Sequence, residues 1–305
     1  MSESLPLPPA KRPLGGSSLT TSPIAWGMWR LAEDGRGRDE AAALVHAALD
    51  AGITLLDTAD IYGFDGSAGF GDAEALLGEV LRAEPALRNR FVLATKGGIR
   101  PPVPYDQSAT YLAEAIDASL RRLGVDCIDL WQVHRPDILA HPQDVARALD
   151  HAVTAGKIRA LGVSNFTLHQ TAALSHFLGH TLATTQPEIS PLRVTCLENG
   201  ELDQAMVLGL TPLAWSPLGG GRIAAPETPR ETAVAAALDA VALPLGISRT
   251  VAAYSWLMAH PAGIVPIVGS QNPARIAEAA QAATVQWSRT QWYAVYVAAR
   301  GEKLP

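Results

Sequence analysis

Apolar residues along the chain gather in eight short runs: Ile24–Met28, Ile53–Leu56, Phe91–Thr95, Ile128–Val133, Arg159–Val163, Leu182–Gln186, Pro212–Trp215 and Ile264–Val268. Most of these runs stay apolar on successive positions instead of alternating with polar ones. They therefore predict strands covered on both faces. Between them, Asp39–Ala51, Asp72–Arg82, Ala109–Leu123, Gln143–Ala155, Thr167–Leu178 and Arg249–His260 repeat Ala, Leu and Val at helical spacing. These stretches predict helices. Gly52, Gly124, Gly156 and Gly179 stand at the ends of four of them. A residue at positive φ is expected there.

Strands alternating with helices predict a parallel sheet with helical crossovers. Eight such units fit an α/β fold of the (β/α)8 TIM-barrel type, with eight parallel strands inside an outer ring of helices. An open doubly wound sheet would carry a GxGxxG turn after its first strand, and none occurs here. Residues 1–18, rich in proline and polar residues, read as a flexible leader. No linker divides the remainder, so residues 19–305 read as a single barrel domain.

Barrel enzymes place their chemistry at the C-terminal ends of the strands. Asp57 and then Tyr62 follow the second run, Lys96 the third, and His134 the fourth. Ser164 and Asn165 follow the fifth, Gln186 ends the sixth, and Trp215 leads into SPLGGGR (216–222) after the seventh. Gly269 and Ser270 follow the eighth, with Arg275 on the next helix. An acid, a phenol, an ammonium and an imidazole at neighbouring strand ends would converge on one mouth. Buried charge there needs a partner, and Asp57 can pair with Lys96.

Composition narrows the setting. The 305 residues are 48% hydrophobic, enough for a large core, and carry a net charge of −6. That charge argues against a surface built for nucleic acid. No signal-peptide core or long apolar span is visible, so a cytoplasmic protein is expected. Cys127 and Cys196 are read as buried free thiols. His176 and His180 lack the glutamate of an HExxH site, so no metal is expected.

LLDTADIYG (55–63), ATKGG (94–98), WQVHRPD (131–137), GKIRALGVSNF (156–166), TQPEISPL (185–192), AWSPLGGGR (214–222) and VGSQNPARIAEA (268–279) together carry a resemblance to the aldo-keto reductases. It extends from about Leu19 to Ala280. The resemblance implies a (β/α)8 barrel and a catalytic tetrad of Asp57, Tyr62, Lys96 and His134. A phenol has an unperturbed pKa of about 10, and a nearby ammonium lowers it. Lys96 is expected to play that part, held by Asp57. Tyr62 then gives its proton to the carbonyl oxygen during reduction, and His134 orients that carbonyl or shares the proton with Tyr62. A barrel lysine also suits a Schiff-base aldolase, but that use leaves Tyr62 without a purpose.

Phosphate often binds at the loops after strands seven and eight of such barrels. The resemblance implies an extended nicotinamide dinucleotide along these loops. Ser164, Asn165 and Gln186 are expected at the carboxamide and Trp215 against the nicotinamide ring. Ser216, Pro217, Leu218, Gly219, Gly220 and Arg222 are expected along one phosphate loop, and Gly269, Ser270, Gln271, Arg275 and Glu278 along the other. Two positions depart from the family pattern: Gly269 replaces a common lysine, and Ala279 replaces an asparagine after Glu278. NADP(H) is expected over NAD(H), from Ser270 and Arg275. Trp29, with Tyr62 and His134, is expected to wall the pocket of a small carbonyl substrate, with Tyr105 a weaker candidate. A monomer is plausible. The alternative is a cofactor-binding regulatory subunit with little turnover.

Overall fold

The computed structural model describes residues 3–304. A short antiparallel hairpin comes first, Arg12–Pro13 (β1) with Thr20–Thr21 (β2). Eight parallel strands then close into a barrel: Ala25–Gly27 (β3), Leu55–Asp57 (β4), Val92–Gly97 (β5), Ile128–Val133 (β6), Ile158–Ser164 (β7), Leu182–Gln186 (β8), Thr211–Ala214 (β9) and Val265–Val268 (β10). β10 pairs with both β9 and β3, so the sheet has no open edge. The expected eight-stranded barrel is present.

Two apolar cores explain why the strands read as unbroken apolar runs. Ala25, Leu55, Val92, Ala94, Leu130, Leu213 and Val265 fill the inside of the barrel. Trp26, Leu56, Leu93, Trp131 and Val133 belong to the larger core against the helices. Side chains alternate along a strand. The inward series therefore continues upward from Leu55 to Asp57, from Val92 and Ala94 to Lys96, and from Leu130 through Gln132 to His134. Apolar residues fill the lower barrel, and polar residues follow them at the C-terminal rim.

The outer ring comprises Arg38–Asp50 (α1), Asp72–Ala83 (α2), Ala109–Leu123 (α3), Pro142–Thr154 (α4), Leu168–Phe177 (α5), Glu201–Leu208 (α6), Pro229–Leu245 (α7), Arg249–Met258 (α8), Pro273–Ala279 (α9) and Arg289–Arg300 (α10). Side-chain caps set several starts: Ser108 Oγ accepts from the Tyr111 N–H, and Thr167 Oγ1 from the Gln170 N–H. Gly52, Gly124 and Gly156 adopt positive φ as expected. Gly179 does not. α5 stops at Phe177, and the Gly179 N–H instead donates to Asp150 Oδ2 at 2.8 Å. His180 lies beyond the helix and pairs with that same carboxylate. Cys196 is buried, whereas Cys127 is only half-buried.

Residues 3–18 differ from the flexible leader expected of them. The Leu5 N–H donates to the Trp287 carbonyl, and Arg12 donates to that of Gly263. Leu14 and Leu19 enter the inner core, so the hairpin closes the N-terminal floor of the barrel. Gly15 makes that closure sterically possible. It has φ +57°, and a Cβ there would collide with the Ala183 backbone. The apolar residues Leu5 and Leu14 hold the segment where its proline content suggested freedom.

The apolar pattern does not predict α6, α7 or α10. α10 docks on α8 through Trp256 and Trp292, stacked at 4.9 Å. Each indole N–H donates to the other's backbone carbonyl at 3.0 Å. Among the described residues, no single helix is long and apolar enough to cross a membrane.

Candidate active site

Asp57 ends β4, Lys96 lies near the end of β5, and His134 follows β6. Parallel pairing places these inward-facing ends side by side. Tyr62 arrives on the loop after β4. The Asp60 N–H anchors that loop by donating to the Lys96 carbonyl at 3.0 Å.

Lys96 Nζ is the centre of the group. It donates to Asp57 Oδ2 at 2.7 Å, to the Thr58 carbonyl at 2.8 Å and to Tyr62 Oη at 3.2 Å. Three acceptors match the three N–H bonds of an ammonium, so the buried cation is satisfied. Burial alone would lower its pKa, but Asp57 and Tyr62 outweigh burial and leave the ammonium above its ordinary value. It stays charged.

The Tyr62 phenol behaves differently from the sequence expectation. Desolvation pushes its pKa above the ordinary tyrosine value, and Lys96 only partly offsets the rise. The hydroxyl therefore keeps its proton at neutral pH. His134 is 8% exposed, and its ring meets that of Tyr62 edge-on at 5.8 Å. Burial, then the positive charges of Lys96 and Arg135, hold its pKa well below the usual histidine range. The imidazole is neutral. Its Nδ1 is buried without a hydrogen-bond partner.

Gln132 was missed in the sequence. Its Nε2 donates to Asp57 Oδ1 at 3.3 Å, and Gln186 Nε2 donates to the same oxygen at 3.2 Å. Thr184 Oγ1 in turn donates to Gln132 Oε1 at 3.1 Å. Asp57 thus accepts two amides on one oxygen and the ammonium on the other. The signal was present: a glutamine inside the apolar run IDLWQV, two before His134, faces inward with it.

A second set of bonds crosses the rim. Trp215 Nε1 donates to Asn165 Oδ1 at 2.9 Å. Asn165 Nδ2 donates to Ser164 Oγ at 2.8 Å and to the His134 carbonyl at 3.2 Å. Ser164 Oγ donates to the Gln186 carbonyl at 3.0 Å. Asn165 sits at φ +60°, a left-handed conformation that asparagine tolerates better than most residues. Arg135 stacks over Trp215 at 5.8 Å, and Trp29, 64% exposed, stands at the same rim.

A model of the aldo/keto reductase family matches residues 23–297. This chain belongs to the aldo-keto reductase family. It is 76% identical over 301 residues to a 6-dehydroglucose reductase of Novosphingobium aromaticivorans, covering 99% of each chain. It is 38% identical to a 6-dehydroglucose reductase of Agrobacterium fabrum, over 94% of this chain and 97% of that one. It is also 36% identical to the oxidoreductase YdhF of Escherichia coli, over 93% and 95% respectively. Aldo-keto reductases reduce carbonyls and use nicotinamide cofactors, and this chain is such an oxidoreductase.

The loops of this reductase that were expected at the cofactor have room for a bound group. Beyond the adjoining residues of the chain, no atom lies within 4 Å of a Cβ position at Gly220, Gly221 or Gly269. Gln271 Oε1 is buried without a partner while its Nε2 donates to the Gly27 carbonyl at 3.2 Å. Backbone approach by a bulky anion is open there, and an unused acceptor remains. Other expected residues are already engaged. Arg222 pairs with Glu231 at 3.1 Å, so its charge is largely offset. Asn272 Oδ1 accepts from the Ala274 and Arg275 N–H groups, so the start of α9 is capped internally. Arg275 is exposed and Glu278 half-buried on that helix. Pro217 is buried beneath the glycine loop, with Leu218 half-buried beside it. Ser216, at φ +50°, accepts the Gly220 N–H on its Oγ. Tyr105 is 38% exposed and forms a bridge with Ile99.

Proposed function

We propose that this reductase converts an aldehyde to the alcohol with NADPH, and that its substrate is a sugar aldehyde of the 6-dehydroglucose kind. The chemistry rests on one observation: the buried Lys96 ammonium lies within hydrogen-bond reach of both Asp57 and Tyr62. The substrate class is supported by the names of two relatives that match this chain over nearly its whole length. An exposed Trp29 and the stacked Arg135 suit a substrate with an apolar ring face and many hydroxyls.

When bound, the nicotinamide supplies the hydride. Gln186 commits its amide nitrogen to Asp57, which leaves Oε1 to accept from the carboxamide, beside Ser164 and Asn165. Trp215, held by Asn165, offers its ring to the nicotinamide. Gly219–Gly221, Ser270, Gln271 and Arg275 would line the phosphates.

As negative charge develops on the carbonyl oxygen, Tyr62 Oη gives up its proton to it. The phenolate left behind faces Lys96 Nζ, whose charge Asp57 keeps fixed. The rise in the Tyr62 pKa ensures that the proton is present to give. The neutral His134 ring keeps one N–H to orient the carbonyl, without competing as an acid. The two side-chain amides on Asp57 prevent it from turning away from Lys96.

The test is NADPH oxidation by wild type and Tyr62→Phe, with 6-dehydroglucose, glyceraldehyde and 4-nitrobenzaldehyde as substrates. Loss of the proton donor should lower kcat by about 10²-fold or more, with NADPH affinity preserved. Retained turnover would remove Tyr62 from its assigned role. A kcat/KM for 6-dehydroglucose no higher than for the simple aldehydes would reject the substrate class.

A further inference from the structure

The loop after β10 lacks a side-chain cation at Gly269, where the family pattern commonly has lysine. A Cβ placed there would meet nothing within 4 Å. The space beside Gly269 is open, and a guanidinium from a neighbouring loop reaches the Gly269 carbonyl. Arg30, on the loop after β3, donates from Nη2 to the Gly269 carbonyl at 3.3 Å.

The two loops are stitched together. Trp26 Nε1 donates to the Ser270 carbonyl at 3.0 Å, and Gln271 Nε2 donates to the Gly27 carbonyl at 3.2 Å. Arg30 is therefore carried to Gly269 by a fixed backbone and does not depend on its own bond alone. Its guanidinium also lies 5.8 Å from the Trp29 ring, which limits its swing.

The charge of Arg30 is uncommitted. Arg222 is bound to Glu231 and Arg249 to Asp239. Among the ion pairs of the described residues, none includes Arg30. A guanidinium has five N–H bonds, and the single bond to Gly269 leaves four. Ser270 Oγ accepts the Asn272 N–H at 3.2 Å, which leaves its own O–H free to donate. A free hydroxyl and an unpaired guanidinium therefore adjoin the same short turn. Arginine suits a phosphate dianion because its planar fork offers paired donors.

Resting on the reading that Ser270 and Arg275 receive the 2′-phosphate of NADP(H), we propose that Arg30 supplies from β3 the cation that Gly269 lacks. It thereby acts as a determinant of NADPH over NADH. The preference is set from both sides of the seam between the first and last barrel strands.

The experiment is a fluorescence titration of NADPH and of NADH into the whole protein, without substrate. Wild type, Arg30→Ala and the double variant Arg30→Ala/Gly269→Lys are compared. Circular dichroism confirms that each variant is folded. Arg30→Ala should weaken NADPH binding by about tenfold, the order expected of one charge-assisted hydrogen bond. NADH binding should change by less than about twofold, as expected for a cofactor that lacks the phosphate. Lysine at position 269 should restore the NADPH affinity. Unchanged NADPH affinity in Arg30→Ala, with the wild-type preference intact, overturns the role of Arg30 alone. Equal loss for both cofactors overturns it too, by assigning Arg30 to the shared part of the dinucleotide. Equal affinities in wild type would overturn the NADP(H) reading and this proposal with it.

Discussion

Lys96 Nζ lies 2.7 Å from Asp57 Oδ2, with the lysine side chain fully buried and the aspartate 2% exposed. Neither charge has water to fall back on, so each depends on the other and on the remaining donors and acceptors around it.

Those remaining groups are equal in number, so a loss is predicted from either side. In Asp57→Ala, the lysine would keep only the Thr58 carbonyl and the Tyr62 hydroxyl. In Lys96→Met, the carboxylate would keep only the amides of Gln132 and Gln186. Each variant should therefore cost about 3–5 kcal/mol of stability, the range for stranding a buried charge. Urea unfolding at pH 7 measures both, and a wild-type midpoint in either variant would contradict the mutual dependence.

The pH profile of carbonyl reduction should lack a histidine limb. His134 is held well below its ordinary value, so it is neutral on both sides of the usual histidine midpoint near pH 6.5. Under the proposed mechanism the acid form of Tyr62 gives the proton, and its pKa is raised. The rate should be flat from about pH 6 to 8 and fall only beyond the ordinary tyrosine value of about 10. For stability, His134 acts in the opposite direction. Its folded pKa is depressed, so its contribution is present above about pH 6.5 and is lost as pH falls through the folded value. A rate limb near pH 6.5 that disappears in His134→Asn would refute the neutral imidazole.

Asp60 should destabilise the protein at neutral pH. It is 1% exposed, and both carboxylate oxygens lack hydrogen-bond partners. Burial first, and then the negative Glu74, raise its pKa well above the ordinary carboxyl value. A raised folded pKa means that the folded state holds a proton the unfolded chain has released. Stability is fully present below about pH 4 and is lost as pH rises through the folded value. Asp60→Asn removes that loss. Its stability relative to wild type should improve progressively between about pH 4 and pH 8, with carbonyl reduction retained. Urea melts at both ends of that range measure the trend, and a constant difference between the two proteins would exclude it.

Much of this was legible in the sequence because a parallel barrel leaves a strong imprint. Strands covered on both faces must be apolar throughout, so Asp57, Lys96 and His134 stood out as polar residues at the ends of such runs. Gln132 did not, because it lies inside a run and breaks the apolar pattern only once. α10 escaped because WYAVYV combines aromatic and β-branched residues that also suit strands; its helix is justified by the Trp256–Trp292 contact, which is tertiary. α7 is apolar on most of its faces, so helical spacing is blurred. The direction of the Tyr62 shift was misread for a related reason. The neighbouring lysine is visible in a motif, whereas the desolvation that outweighs it is a property of the packed site. Leu14 and Leu19 gave too little signal, in so short a segment, to announce that they enter the barrel.

The hairpin that carries Leu14 and Leu19 plugs one end of the barrel, and Leu55, Val92 and Leu130 fill the space above it. Traffic is thereby confined to the opposite rim. Under the proposed mechanism, a proton lost from Tyr62 during a turnover is replaced from the same side by which the carbonyl substrate arrives and the alcohol departs. Resupply of that proton and exchange of substrate then compete for one doorway, so a bulky product that lingers there would delay the recharging of the acid as well as its own release.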